Sequence, residues 1–316
     1  MSIKSLFKLL KKSRNLFFLR NVLIYKLISV LYRKNIGTSI FEEDWDNMII
    51  LDGCRFDIFK LFYNKKNLNG ILRKKKSRGA HTVSFLQENF DKIKNDDLIY
   101  ITANPYVDIH LQNKIFKIIS VWKDGWDSTN KTVLPESMYN QTIKILKKYP
   151  NFKYIIHFMQ PHYPYIGYDI RDGSIERLRK AVIEKKEISL KQEVKTSFFS
   201  LYSSKIYSLI EPSHQIRLYV NNLNLVIPFV QKLINILPGK TIVTSDHGEA
   251  FGERIHPLIP FKFYGHQKGL NMDVLITIPW LVIPQEQKDK HFQQDFNEKS
   301  KIKKELKHLK ERGITF

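Results

Sequence analysis

The chain holds a single cysteine, Cys54, so an intramolecular disulfide is excluded and the redox compartment stays open. No Cys/His pattern has zinc-finger spacing. Acidic residues are scarce beside basic ones: 31 Asp and Glu against 52 Lys and Arg leave a formal charge of +21. That imbalance implies an anionic partner, whether nucleic acid, an acidic membrane surface, or a phosphorylated or sulfated substrate. A lysine-biased composition without any such partner is the plainer alternative. Neither RRM-like aromatics nor a helix-turn-helix accompanies the charge, so no specific nucleic-acid partner is expected. Long apolar runs are missing as well. The stretch from Leu16 to Tyr32 is broken by Arg20 and Lys26, so it reads neither as a spanning helix nor as a signal peptide. Together these absences give an expected cytoplasmic location, peripheral at a membrane.

What is present is enough for a full core: 316 residues, 43% apolar and 13% aromatic. Residues 1–40 form a basic N-terminal segment, read either as an amphipathic helix lying on an anionic membrane or as an ordinary helix packed on the domain. The domain proper is expected to start near Trp45. Strands are expected at Asn47 to Leu51, Leu98 to Thr102, Lys153 to Gln160, Thr241 to Thr244 and Val274 to Leu281. Between them, helices are expected after Asp57 and Thr82, over Pro135 to Lys148, and from a Ser213 cap to Ile234 with Pro228 inside. Residues 64–76 read as a basic loop and Val121 to Asp127 as an aromatic loop. Alternating strand and helix patterns argue an α/β sheet in one main domain.

The strands end in chemistry. In open α/β sheets, ligands bind beyond the carboxyl ends of the strands. Thr241-Ile242-Val243-Thr244 runs into Ser245-Asp246-His247-Gly248, which puts a carboxylate and an imidazole side by side, with Gly248 to turn the backbone. Asn47 to Leu51 ends at Asp52, and Lys153 to Gln160 runs into Pro161-His162. Thr82 stands at a helix start, where it serves as a plain N-cap or as a nucleophilic hydroxyl. His266 follows in Tyr264-Gly265-His266. Asp52, Asp246 and His247 would hold a divalent metal, with Thr82 as a fourth ligand and nucleophile. His162 and His266 would contact the substrate group or bind a second metal. This donor set suits zinc or manganese; calcium and magnesium are less natural beside a histidine. Ser77 and Ser84 are fallback nucleophiles, His81 a neighbouring contact, and His157 a buried structural residue. Cys54 has no visible catalytic partner and reads as a small, partly buried residue.

Asp52 after its strand, Gln160-Pro161-His162-Tyr163-Pro164-Tyr165, Ser245-Asp246-His247-Gly248-Glu249-Ala250-Phe251-Gly252-Glu253 and Tyr264-Gly265-His266 together resemble the alkaline phosphatase superfamily. The sulfatase-like branch is the most similar. The resemblance spans roughly residues 45 to 283 and keeps the order of motifs. It implies an alkaline phosphatase/sulfatase-like mixed β-sheet sandwiched between helices. The organisation it implies is a catalytic domain over 45–283, with 169–211 as an insertion or lid and 284–316 as a charged tail. It also implies metal-assisted hydrolysis or transfer of an anionic phosphate or sulfate ester, through a covalent intermediate on Thr82. Asp52, Asp246, His247 and Thr82 would bind the metal, with His162 and His266 outside them. The Cys-x-Pro-Ser-Arg motif that matures to formylglycine is absent, which disfavours a true sulfatase. Three readings follow: a metal-dependent ester hydrolase with a threonine nucleophile, a membrane-associated transferase of a phospho-substituent onto a glycan or lipid, and a non-catalytic binding protein that keeps the fold.

Overall fold

The computed structural model describes residues 37–66, 68–168, 174–184, 211–256, 259–286 and 288. The segment 1–36, most of the expected lid and nearly all of the C-terminal tail lie outside the described residues. In chain order come β1 (Asn47–Leu51), α1 (Phe56–Lys65), β2 (Ile71–Lys76), α2 (Thr82–Phe90), β3 (Asn95–Thr102) and α3 (Tyr106–Leu111). Then follow β4 (Ile115–Ser120), α4 (Val121–Asp124), β5 (Trp126–Asp127), β6 (Thr132–Val133), α5 (Pro135–Lys148) and β7 (Lys153–Phe158). The last are α6 (Ser174–Ile183), α7 (Pro212–Ile236), β8 (Thr241–Thr244), β9 (Ala250–His256), β10 (Ile259–Gly265), α8 (Asp273–Ile276) and β11 (Thr277–Ile283).

Among the described residues, seven strands form the main sheet in the order β2-β11-β8-β1-β7-β3-β4. The five from β8 to β4 run parallel. Strand β11 is antiparallel to both β8 and β2, which makes the sheet mixed. Strands β1 and β8 are buried along their whole length, as central strands covered on both faces must be. The period of two still sorts their side chains. Ile49, Leu51, Ile101, Ile156 and Phe158 enter one core, together with Phe59 of α1, Met138 of α5 and Leu223 and Val230 of α7. Met48, Ile50, Tyr100 and Ile155 enter the other, with Phe85 and Leu86 of α2 and Val107 of α3. The architecture is therefore a mixed sheet sandwiched between helices, the fold class expected from the sequence.

The local expectations fail in instructive places. The basic run expected to be a loop contains edge strand β2, and its lysines are spent on partners: Lys75 lies over the Trp280 ring at 3.9 Å and Lys76 pairs with Asp273. Charge on an edge strand discourages pairing with other chains. Asp57 does not cap α1. The helix starts two residues earlier, at Phe56 with Arg55 as its cap, and Asp57 accepts from Arg55 Nε at 3.0 Å and Nη2 at 2.7 Å. Nor does Ser213 cap α7, because Pro212 occupies the first helical position after Glu211. Val121 to Asp127 is not a plain loop but α4 followed by β5, and Val274 to Ile276 belongs to α8 rather than to β11. Pro228 lies inside α7, which continues to Ile236.

Burial sets the expected stability profile. Ile156→Ala, in the central strand β7, should lower the unfolding free energy by about 2–5 kcal/mol, measured by denaturant melts. Leu61→Ala, at a side chain 67% exposed on α1, should change it by less than about 0.5 kcal/mol. Equal losses at the two positions would contradict the packing described.

Candidate metal centre

Parallel strands end at the same edge of the sheet, so β1 and β8 deliver Asp52 and Asp246-His247 to one place from segments far apart in the chain. The three side chains are fully buried, and one ligand atom of each lies within 4.8 Å of the others. His247 Nε2 stands 3.6 Å from Asp52 Oδ1 and 3.4 Å from Asp246 Oδ2. Its Nδ1 donates to the Gly248 carbonyl at 2.8 Å, so the neutral form of the ring carries its lone pair on Nε2, facing the carboxylates. Thr82, the first residue of α2, places Oγ1 3.3 Å from that same Nε2. Gly248 is required by close approach: a Cβ there would sit 2.0 Å from the Val274 carbonyl oxygen.

The hydrogen bonds around these ligands are uneven. Asp246 Oδ1 accepts from Gly53 N at 3.0 Å and from His247 N at 2.9 Å. Asp246 Oδ2 is buried with no hydrogen-bond partner among the described residues. Asp52 Oδ2 accepts from Asn104 Nδ2 at 2.7 Å. His157, from β7, takes up a position below both carboxylates. Its Nε2 lies 3.5 Å from Asp52 Oδ2 and 3.9 Å from Asp246 Oδ2, and its Nδ1 meets the Tyr100 hydroxyl at 3.0 Å. Burial alone would raise the Asp52 pKa, but the imidazoles of His162, His157 and His247 outweigh it and hold the carboxyl below its ordinary range. Burial likewise disfavours a charged His247, yet Asp246 and Asp52 raise its pKa above the usual histidine value. Two carboxylates, an imidazole and a hydroxyl converging on an oxygen that has no donor fit a divalent cation.

A second group of donors lies outside the first. His162, Glu249 and His266 also bring one ligand atom each within 4.8 Å of one another. His266 Nδ1 contacts Glu249 Oε2 at 2.8 Å, and the His266 ring lies 4.2 Å from that of His247 and 4.9 Å from that of His162. Burial pushes the Glu249 carboxyl up to about 7, against the pull of His162 and His247. The two fallback serines are occupied elsewhere: Ser84 Oγ donates to the His81 carbonyl at 2.8 Å, and Ser77 Oγ donates to the Asp246 carbonyl. Cys54 is buried completely rather than partly, and burial raises its thiol pKa far from reactivity.

Sequence reading missed four supporting residues. Glu249 lies within the Ser245 to Glu253 run with no role expected from its pattern, and Asn104 at the tip of β3 obeys the same strand-end rule as Asp52. Arg55 donates to the Glu249 carbonyl at 3.1 Å and lies 5.3 Å from the centre of the Phe251 ring. Asn222, inside α7, donates to the carbonyls of His162 at 3.1 Å and Pro164 at 3.0 Å and so fixes the His162 loop. Only a buried polar residue among the apolar positions of that helix hinted at it.

No protein-family model matches this chain, and no curated protein matches it. Among solved structures, it is similar to the soluble domain of lipooligosaccharide phosphoethanolamine transferase A from Neisseria meningitidis. That likeness has 13% identity and a TM-score of 0.46, over 78% of this chain and 79% of the other. It is also similar to the zinc complex of the C-terminal periplasmic domain of EcEptC from Escherichia coli, at 14% identity and TM-score 0.45, covering 81% and 77%. A third is an alkaline phosphatase superfamily protein from Vibrio parahaemolyticus, at 11% identity and TM-score 0.41, covering 82% and 67%. Likeness at this level assigns no activity to the chain. The cytoplasmic location expected from the sequence is withdrawn, because the similar EcEptC domain is periplasmic. Among the described residues, no helix is long and apolar enough to cross a membrane.

The orphaned Asp246 oxygen makes a thermal test decisive. Zinc at a hundredfold excess over its dissociation constant should stabilise the wild type by roughly 2.7 kcal/mol. Asp246→Asn should show no zinc-dependent rise in melting temperature. An equal rise in both proteins would place the metal elsewhere.

Proposed function

We propose that this chain is a metal-dependent enzyme that cleaves or transfers phosphate-ester groups, with Thr82 as its nucleophile. The observation that carries the reading is the position of Thr82 Oγ1, 3.3 Å from His247 Nε2 beside two buried carboxylates. A divalent cation held by Asp52, Asp246 and His247 would supply positive charge that favours the deprotonated hydroxyl and screens the incoming phosphate. Thr82 loses its proton to water, and Oγ1 attacks phosphorus. The bond from phosphorus to the ester oxygen breaks, the leaving alcohol takes up a proton from water and departs, and the group rests on Thr82. His162 and His266, on the outer side of the site, contact its oxygens or hold a second cation, with Glu249 beside His266. Attack by water then frees phosphate and restores the threonine hydroxyl.

A transferase uses the same first half-reaction and gives the group to a glycan or lipid hydroxyl instead of water. The charge of +21 favours that acceptor class, because it draws the chain toward anionic membrane surfaces. A binding protein without catalysis is disfavoured, since Asp52, Thr82, Asp246 and His247 are all present and converge. Phosphate is preferred over sulfate because the formylglycine precursor motif is missing.

Zinc-loaded protein should release nitrophenol from a nitrophenyl phosphate monoester or diester and spare nitrophenyl sulfate. Thr82→Ala should fall to the uncatalysed background while still binding zinc. Turnover that survives in Thr82→Ala would move the nucleophile to another residue. Turnover without any added acceptor separates the two activities: a hydrolase releases free phosphate over many cycles in water alone, whereas a transferase stops after about one equivalent of nitrophenol until an acceptor hydroxyl is added.

A further inference from the structure

We propose that His81 is a substrate-binding residue whose Nε2–H donates a hydrogen bond to an oxygen of the phosphate group held at Thr82. This rests on the phosphate-ester reading above and adds a residue to it. His81 is the N-cap of α2, and its Nδ1 accepts from the Val83 backbone N–H at 3.0 Å. A backbone N–H can only donate, so Nδ1 carries a lone pair. The ring is therefore neutral, and its one proton sits on Nε2. No choice of tautomer remains.

The other contacts of His81 hold the ring in place. Its carbonyl accepts from Phe85 N at 2.9 Å and from Ser84 Oγ at 2.8 Å. Its ring lies nearly parallel to that of His247, at 13° and 6.1 Å between centres. The ring centre of His266 is 5.1 Å away and that of Tyr106 is 5.8 Å away. The side chain is only half-buried, and among the described residues its one side-chain hydrogen bond is the one that Nδ1 accepts from Val83 N. His81 thus presents one fixed N–H donor beside the nucleophile, among the imidazoles of the site. Capping alone does not require this. Asn, Asp, Ser or Thr caps a helix with an oxygen, and histidine adds a second nitrogen that the cap does not use.

The two roles separate by substitution. His81→Asn keeps a capping acceptor and removes the Nε2 donor; His81→Ser repeats the test with another capping residue should the first variant fold poorly. Inorganic phosphate binding to zinc-loaded protein is measured by calorimetry, kcat/KM on nitrophenyl phosphate by absorbance, and melting temperature alongside. The expected result is an unchanged melting temperature, phosphate binding weakened about 10-fold, and kcat/KM lowered about 10²–10³-fold. Wild-type phosphate affinity and turnover in the variants would overturn the proposal. If the wild type binds phosphate but turns over no ester, the ester reading fails and the binding comparison alone decides the His81 contact. If the wild type binds no phosphate, both fall.

Discussion

Two carboxylates lie buried side by side at one edge of the sheet, and much of the neighbouring structure is arranged around their charge. Removing an ionised carboxylate from water costs several kcal/mol unless hydrogen bonds or opposite charge offset it. Asp52 receives the amide of Asn104 and the imidazoles near it. Asp246 receives two backbone amides on one oxygen and nothing on the other. With His247 Nε2 turned toward both and its own proton committed to the Gly248 carbonyl, the donors present are all suited to a cation. A cation held there would supply what the uncompensated oxygen lacks.

Sheet topology explains why distant segments meet here. Five parallel strands point their carboxyl ends to one edge, and β1 and β8 are direct neighbours. The loops beyond those ends are held from behind. The Tyr219 hydroxyl donates to the Gly53 carbonyl and accepts from Arg55 N, both at 2.8 Å, which fixes the turn after β1. Asn222, one helical turn further along α7, does the same for the His162 loop. Arg55 ties the Glu249 carbonyl to the start of α1. The candidate site is thus carried by loops while rigid elements set their geometry.

The sheet was legible because its central strands are short β-branched and apolar runs, each ending in a polar cluster: Ile49-Ile50-Leu51 before Asp52, and Ile242-Val243-Thr244 before Asp246. The candidate donors Asp52, Asp246 and His247, which the structure brings together, were legible for the same reason. Edge strand β2 was not, since Arg73 to Lys76 has the composition of a loop and its pairing with β11 depends on residues two hundred positions away. The caps of α1 and α7 each lie two residues before the expected ones. At α1 an acidic side chain near the helix start suits either a cap or an ion pair, and Arg55 decided for the pair. Glu249, Asn222 and the His81 tautomer depend on tertiary contacts that no local pattern encodes.

The central claim is that Asp52, Thr82, Asp246 and His247 enclose one cation. Crystals grown with zinc and measured on both sides of the zinc absorption edge test it most directly. The account predicts one strong anomalous peak bonded to Asp52, Asp246 Oδ2, His247 Nε2 and Thr82 Oγ1. A peak elsewhere, or none at saturating zinc, would contradict it.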